Sequence, residues 1–385
     1  GVVNNEGAVL SRSAGIYLER AAETARAMEL LKSSAANGAP AVVVAASGAG
    51  KSTFLAHLVS RIQAEKNSAF DTVLAVFVGA TDGSTSIHRI CTDVLAALRG
   101  VGEQDENCDD IDGEATDFQG LVAQIGSKLK TLSAAGHRTC LLFDAVNELD
   151  GAHAARSLRW LPAQLPDGCS VLLSTIGDKA ADPTMISKGA GDESVQEIAT
   201  SLSARWGLRA TSAPAGQPGC GVMFLPTLSE ADRMDLLGQL VVASGGRPLG
   251  AAESQAALAH EDSVSPLYLK LLAQRVAVRA AEGKAASASQ RLKEIEKFPP
   301  TIAAVFDTML VELDSSCSSK NEDSGDGWAA GVVLSAVHCS QGGLYEQQLH
   351  QLLLTDARAG AKAAAEVELL WKQLVEAGLP SIVRV

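Results

Sequence analysis

The sequence is short of aromatic side chains, which make up 4% of its 385 residues, and its seven cysteines include no CxxC pair. An odd cysteine count without ligand spacing argues against a zinc site and against a disulfide framework, leaving reduced thiols as the simpler expectation. No apolar run reaches the ~20 residues that a membrane helix needs. The opening stretch GVVNNEGAVLSRSAGIYLER lacks a basic-then-apolar secretion signal and an initiator Met, so a longer parent chain is expected. Basic residues are outnumbered, 32 Lys and Arg against 45 Asp and Glu, for a net charge of −13. Such a chain repels phosphate backbones over distance, which disfavours a general nucleic-acid binder. Wholesale disorder is excluded by 46% hydrophobic residues and only 20% charged ones. No internal repeat of 20 to 50 residues stands out.

What the chain has in abundance is 63 Ala and 35 Gly, a composition for small-residue packing and helices. Its length suggests two or three domains. Residues 15–32 predict a helix that Asn37-Gly38 ends. Short apolar runs follow at 41–46, 73–79, 139–143, 170–175 and 222–225, with helical segments at 51–64, 86–98, 118–135 and 153–160 among them. Strands alternating with helices imply a parallel sheet covered on both faces. Arg159 and Trp160 are expected to anchor the helix at 153–160 to that sheet. Beyond residue 228 the pattern turns helical, at 230–243, 251–260, 266–282, 301–314, 328–340, 345–354 and 362–377, with a last apolar run at 381–385. Ser229 and Asp232 form a capping pair, and Pro266 suits a first helical turn. The stretch 103–117 holds eight acids and no Lys or Arg, as a surface insertion does. Residues 180–221 are loop-rich, with Gly and Pro, and are expected to contain a second insertion, and 315–327 reads as a polar linker.

The most informative segment is Ala45-Ala46-Ser47-Gly48-Ala49-Gly50-Lys51-Ser52. It matches GxxxxGK followed by Ser or Thr everywhere except the first Gly, where Ala45 stands. Small residues let consecutive amides turn inward on a phosphate chain, and the helix that follows adds its N-terminal dipole. On that reading Ala46, Ser47, Gly48, Ala49 and Gly50 form the cradle, Lys51 reaches the β- and γ-phosphates, Ser52 ligates Mg²⁺, and Thr53 sits near the α-phosphate. The flanks agree, with a strand before the loop and the apolar stripe Phe54, Leu55, Leu58, Val59 and Ile62 after it. The alternative is a flexible turn with a surface Lys.

A phosphate loop needs an acid on a second strand for Mg²⁺, and Asp144 at the end of Leu141-Leu142-Phe143 supplies one, or else merely caps the next turn. Glu148 is a candidate general base, or a solvated loop carboxylate. Asn147 is suited to orient water or a γ-phosphate oxygen. Ser174 and Thr175 end the next strand, where their hydroxyls either sense the γ-phosphate or satisfy backbone groups. Arg89 either reaches a phosphate across a subunit interface or is a solvated helix residue.

These pieces resemble the NACHT group of STAND-type signalling NTPases, closest to the nephrocystin and telomerase-associated branch. The matching segments, in order, are VVVAASGAGKSTFL at 42–55, VFVGATDGSTSIHRI at 76–90, LLFDAVNEL at 141–149, SLRWLPAQLPDGCSVLLST at 157–175, FLPTLSEADR at 224–233, SPLYLKLLAQRV at 265–276 and AVHCSQGGLYEQQLHQLLL at 336–354. The resemblance implies an α/β P-loop NTPase sheet with an extra strand beside the loop, followed by a helical domain and a winged-helix-like domain. The implied layout is a helical lead-in at 1–37, the NTPase domain at 38–228 with its acidic insertion at 103–117, the helical domain at 229–314 and the winged helix, truncated or whole, at 328–385. It also implies ATP or ADP with Mg²⁺, preferred over GTP, with Pro266 against the adenine. Proteins or self-association are the implied partners, and a slow ATPase acting as a conformational or assembly switch is the implied activity. Asn147 stands where many members have Asp, and Ile176 where many have an Arg, so a scaffold that binds nucleotide without hydrolysing it is the alternative. Winged-helix nucleic-acid binding is disfavoured by the near-balanced charge of 328–385. A cytoplasmic location is the default expectation; a ciliary one rests on the nephrocystin likeness.

Overall fold

A computed structural model describes residues 16–65, 69–80, 83–101, 117–177, 193–208, 221–281, 283 and 287–317. The chain divides after Asp232 into two compact units, each described by itself.

The first unit begins with helix α1 (Ala21–Asn37), which stops where Gly38 turns left-handed, as the Asn37-Gly38 pair predicts. Strand β1 (Ala41–Ala45) leads into helix α2 (Lys51–Ala64) and strand β2 (Thr72–Phe77). Helices α3 (Ile87–Arg99) and α4 (Phe118–Ala134) precede strand β3 (Thr139–Asp144) and strand β4 (Cys169–Ile176). Helix α5 (Glu193–Trp206) and strand β5 (Val222–Phe224) follow. The five strands form one sheet in the order β2-β3-β4-β1-β5, and every pairing is parallel. β4 is thus inserted between β1 and β3, the extra strand that the resemblance implies.

Side-chain alternation splits the core in two. Val42, Val44, Leu74, Val76, Leu141, Phe143, Val171 and Leu173 face α3, α4 and α5. Ala41, Val43, Ala45, Ala75, Phe77, Cys140, Leu142 and Leu172 face α1 and α2. Burial on both faces is why these strands read as continuous apolar runs rather than alternating ones. Small residues bring α1 close to the sheet. Ser34 Oγ accepts the Val171 amide at 3.0 Å just beyond the first β1–β4 pair, and Ser170 Oγ donates to Leu31 O at 2.8 Å. Cys91, Cys140 and Cys169 are buried free thiols whose pKa values burial pushes up, Cys91 to about 12.

The N-terminal ends of β2 and β3 are clamped by Asp71. It accepts the Arg138 amide at 2.8 Å and the guanidinium at 3.1 and 2.8 Å, and this bonding holds its carboxyl at about 2. A carboxyl pKa lowered in the folded state contributes stability above pH ~4 that is lost as pH falls through 2. Asp71→Asn should therefore melt below wild type at pH 5 to 7, with the gap closing toward pH 2 in thermal melts. Because the pair is exposed, added salt should narrow the gap. A gap independent of pH would refute the assignment.

The expected helix at 153–160 is instead a 3₁₀ turn (Ala152–Ser157) with left-handed backbone at His153, Ala154 and Leu158. Backbone carbonyls are captured one after another there. Trp160 Nε1 donates to Ala155 O at 2.8 Å, Arg156 Nε to Leu149 O at 2.9 Å, and Arg205 to the carbonyls of Leu158 and Leu161. These tertiary bonds override the helical propensity of the segment. Trp160 does anchor the segment, edge-on to Phe143 at 4.8 Å, but its expected companion Arg159 is exposed and Arg205 takes that part. α5, unforeseen within 180–221, is buried through Val195, Ile198 and Leu202.

The described residues of the second unit are helical. α6 (Glu230–Ala243) starts at the expected Ser229–Asp232 pair, where Ser229 Oγ accepts the Asp232 amide at 3.1 Å. α7 (Ala251–Leu258), α8 (Pro266–Ala281), α9 (Ala288–Lys297) and α10 (Ile302–Cys317) follow. α9 went unforeseen because it buries only Ile295; its sequence signal is the Ser287–Gln290 capping box. Tyr268 is fully buried; its hydroxyl donates to Pro299 O at 2.6 Å and takes His260 Nδ1 at 2.5 Å. The Arg291–Glu253 ion pair, at 2.9 Å and mostly buried, ties α9 to α7. α10 runs to Cys317, into the expected linker. The elements expected at 328–385, the rest of that linker and the acidic stretch lie outside the described residues, except that Asp117 caps α4 by accepting the Gly120 amide at 2.7 Å.

Candidate functional site

The glycine-rich loop joins β1 to α2 at the C-terminal edge of the sheet. Gly48 and Gly50 lie at φ 72° and 86°, in the region where a Cβ is strained, so conformation requires both the motif glycine Gly50 and Gly48, which falls at one of the motif's free positions. Ala49 N–H closes the loop onto Ala46 O at 3.3 Å, while Ala46 and Ser47 stay exposed. The departure at Ala45 costs nothing visible. Ala45 is the last residue of β1, paired with Ile176 in extended backbone, with its methyl buried on the α1–α2 face. The close approach beside it is made by Gly177, where a Cβ would lie 2.3 Å from Val44 Cγ1.

Lys51 is 8% exposed. Its ammonium donates to Ala45 O and Ala46 O, each at 2.9 Å. Burial lowers its pKa, and the negative charges of Asp144 and Glu148 oppose the shift. Asp144 is 3% exposed at the end of β3. Burial raises its pKa against hydrogen bonds from Ser174 and Ser52, the charge of Lys51 and the Ala145 amide. Ser174 Oγ donates a short bond to Asp144 Oδ1 and accepts the Ala145 amide at 2.8 Å.

Ala145 adopts φ 52°, ψ 47°, a left-handed conformation rare outside glycine, and opens a 3₁₀ turn (Val146–Glu148). The turn is closed by Glu148 N–H on Ala145 O at 2.8 Å and delivers Glu148 beside the end of β2. A Cβ built on Gly79, itself at φ 75°, would meet Glu148 Oε2 at 2.5 Å, so the absent side chain at Gly79 makes room for this carboxylate. Glu148 keeps exposed surface, yet desolvation of its carboxyl and the Asp144 charge raise its pKa while Lys51 opposes. Asn147 is buried, and its Oδ1 accepts the Ile176 amide at 3.3 Å, bracing the turn against the end of β4.

Of the residues named from sequence, the structure therefore gathers Lys51, Ser52, Asp144, Asn147, Glu148 and Ser174 at one edge. Thr53 is half-buried in the first turn of α2. Thr175 faces away. Strand alternation sets it on the side of Leu173 and Val44, and its buried hydroxyl has no partner among the described residues. Pro266 opens α8 in the second unit. Three residues escaped sequence reading: Gly79, Ala145 and Arg20. Arg20 is half-buried and donates to Pro226 O at 2.8 Å and Ala49 O at 3.3 Å, steadying the loop from the side of α1. Its partners are carbonyls, which leave no mark in a sequence.

A divalent cation fits this chemistry. Among the described residues no cluster of three His, Cys, Asp or Glu exists that could cage a metal. Mg²⁺ uses no such cage; it takes one or two protein oxygens and completes its shell with water and phosphate. The hydrogen-bonded Ser52–Asp144 pair offers those oxygens, and a cation there would compensate a buried acid that the protein compensates only in part.

The sheet order and the glycine-rich loop after β1 define an α/β P-loop NTPase fold. No protein-family model matches the sequence, and no curated protein matches it. Solved structures similar to the chain include the Walker-type ATPase of Pyrococcus abyssi, at 11% identity over 93% of this chain and 96% of that one, TM-score 0.45. The Aeropyrum pernix ORC2 protein is 13% identical over 94% and 96%, TM-score 0.44. Domain III of the Thermotoga maritima replication initiation protein DnaA is 14% identical over 74% and 96%, TM-score 0.41. Likeness at this level lends no support to any particular activity. Among the described residues, no helix is long and apolar enough to cross a membrane.

Proposed function

We propose that the chain is an ATP-binding, Mg²⁺-dependent regulatory NTPase module that hydrolyses slowly and serves as a nucleotide-controlled conformational or assembly switch. The observation that carries this reading is one constellation: Lys51 and the loop amides at the head of α2, facing a buried Asp144 hydrogen-bonded to Ser52, with Glu148 beside them. Lys51 and the loop backbone bind the phosphate chain. Ser52 and Asp144 hold Mg²⁺, which neutralises phosphate charge when bound. Glu148, its pKa raised by desolvation and by Asp144, accepts the proton of the attacking water. ATP rather than GTP, Pro266 against the adenine, and protein partners or self-association come from the NACHT-like segments.

Slow turnover is favoured by two features. Asn147 cannot act as a base and lends its oxygen to Ile176 N–H, and Ile176 supplies no cation at the end of β4. Isothermal titration of ATP and ADP into the wild-type chain, with Mg²⁺ and with EDTA, tests the reading. Binding that tightens with Mg²⁺ is expected; no binding of either nucleotide would end the proposal.

A further inference from the structure

Ser174 stands at a junction that neither the loop motif nor the acidic strand explains. It is fully buried on β4, paired with Val43, on the same sheet face as Asp144. A hydroxyl has one hydrogen to donate. Ser174 gives it to Asp144 Oδ1 and accepts the Ala145 amide at 2.8 Å. To donate to a phosphate it would have to release Asp144. Its neighbour Thr175 is buried as deeply, but on the opposite face and without a hydrogen-bond partner among the described residues. Two adjacent hydroxyls of equal burial thus differ in wiring.

We infer that Ser174 is a positioning residue that sets both acids of the site through one hydroxyl, rather than a reader of the γ-phosphate. Its donated bond fixes the Asp144 carboxylate next to Ser52. Its accepted bond holds the left-handed Ala145, whose carbonyl closes the turn that places Glu148 over Gly79. The inference rests on the proposed Mg²⁺ and base roles for its functional consequence, and on the Ser174–Ala145 bond for its structural content.

The test compares Ser174→Ala with Thr175→Val, which deletes an equally buried hydroxyl from the other face. Nucleotide affinity is titrated with Mg²⁺ and with EDTA, and exchange of the Ala145 amide is followed by NMR. In Ser174→Ala, affinity in EDTA should stay near wild type. The Mg²⁺-dependent gain should fall about ten- to a hundred-fold, the worth of a hydrogen bond to a charged group, and the Ala145 amide should exchange faster by a similar factor. Thr175→Val should change neither, and Ser174→Thr should restore both. A full Mg²⁺ gain in Ser174→Ala, or an equal loss in Thr175→Val, would overturn the inference. Should wild type bind no nucleotide, the proposed function fails by itself, and unchanged Ala145 protection in Ser174→Ala would then refute the positioning bond separately.

Discussion

Lys51→Ala should bind ATP about 30- to several-thousand-fold more weakly than wild type in isothermal titration, without losing its fold. The loss corresponds to the ~2–5 kcal/mol of truncating one side of a desolvated charge-assisted contact. The fold survives because neither carbonyl that Lys51 holds is orphaned. Ala45 O still accepts Gly177 N–H at 3.1 Å, and Ala46 O still accepts Ala49 N–H at 3.3 Å. Burial of the ammonium is itself unfavourable, as its lowered pKa records, and its removal leaves Asp144 and Glu148 without their nearest opposing charge. These two effects oppose, so the melting temperature should move little while affinity collapses. Unchanged affinity in a folded variant would remove the phosphate-binding role from the loop. A variant with a collapsed melting temperature would show instead that the Lys51 bonds are structural.

The sheet was legible because its strands are buried on both faces. Runs such as Val42-Val43-Val44 and Leu141-Leu142-Phe143 have no solvent side to interrupt them, and the paired registers follow the predicted segments to within one or two residues. Lys51, Ser52 and Asp144 were legible for a related reason: loop and acid each follow a recognisable strand. The backbone between those landmarks was not legible. Ala145 and Ala154 take left-handed conformations that an Ala side chain disfavours, and Ala145 is held there by the bond of its amide to Ser174. Hydrogen bonds to carbonyls, such as those of Arg20 and Arg205, draw on acceptors that every residue possesses, so no spacing announces them. The strand-end hydroxyls show the same limit. Sequence placed Ser174 and Thr175 together, whereas strand alternation separates them onto two faces.

Binding and turnover separate at Glu148. Glu148→Gln should keep ATP affinity within a few-fold of wild type and lower phosphate release by about 10²–10⁴, the usual range for loss of a general base. Gln preserves shape beside Gly79 but takes no proton. Gly79→Ala should mimic it through geometry, since the added Cβ falls 2.5 Å from Glu148 Oε2 and forces the carboxylate away. A base is active only when ionised, so the wild-type rate should fall as pH drops through a value above the ordinary 4.5, in the direction that desolvation and Asp144 shift Glu148. That acid limb should vanish in Glu148→Gln. If wild type and Glu148→Gln release phosphate at the same background rate while both bind ATP, the site belongs to a nucleotide-binding scaffold. Asn147, braced on Ile176 N–H rather than held for water, would then be the residue that accounts for it.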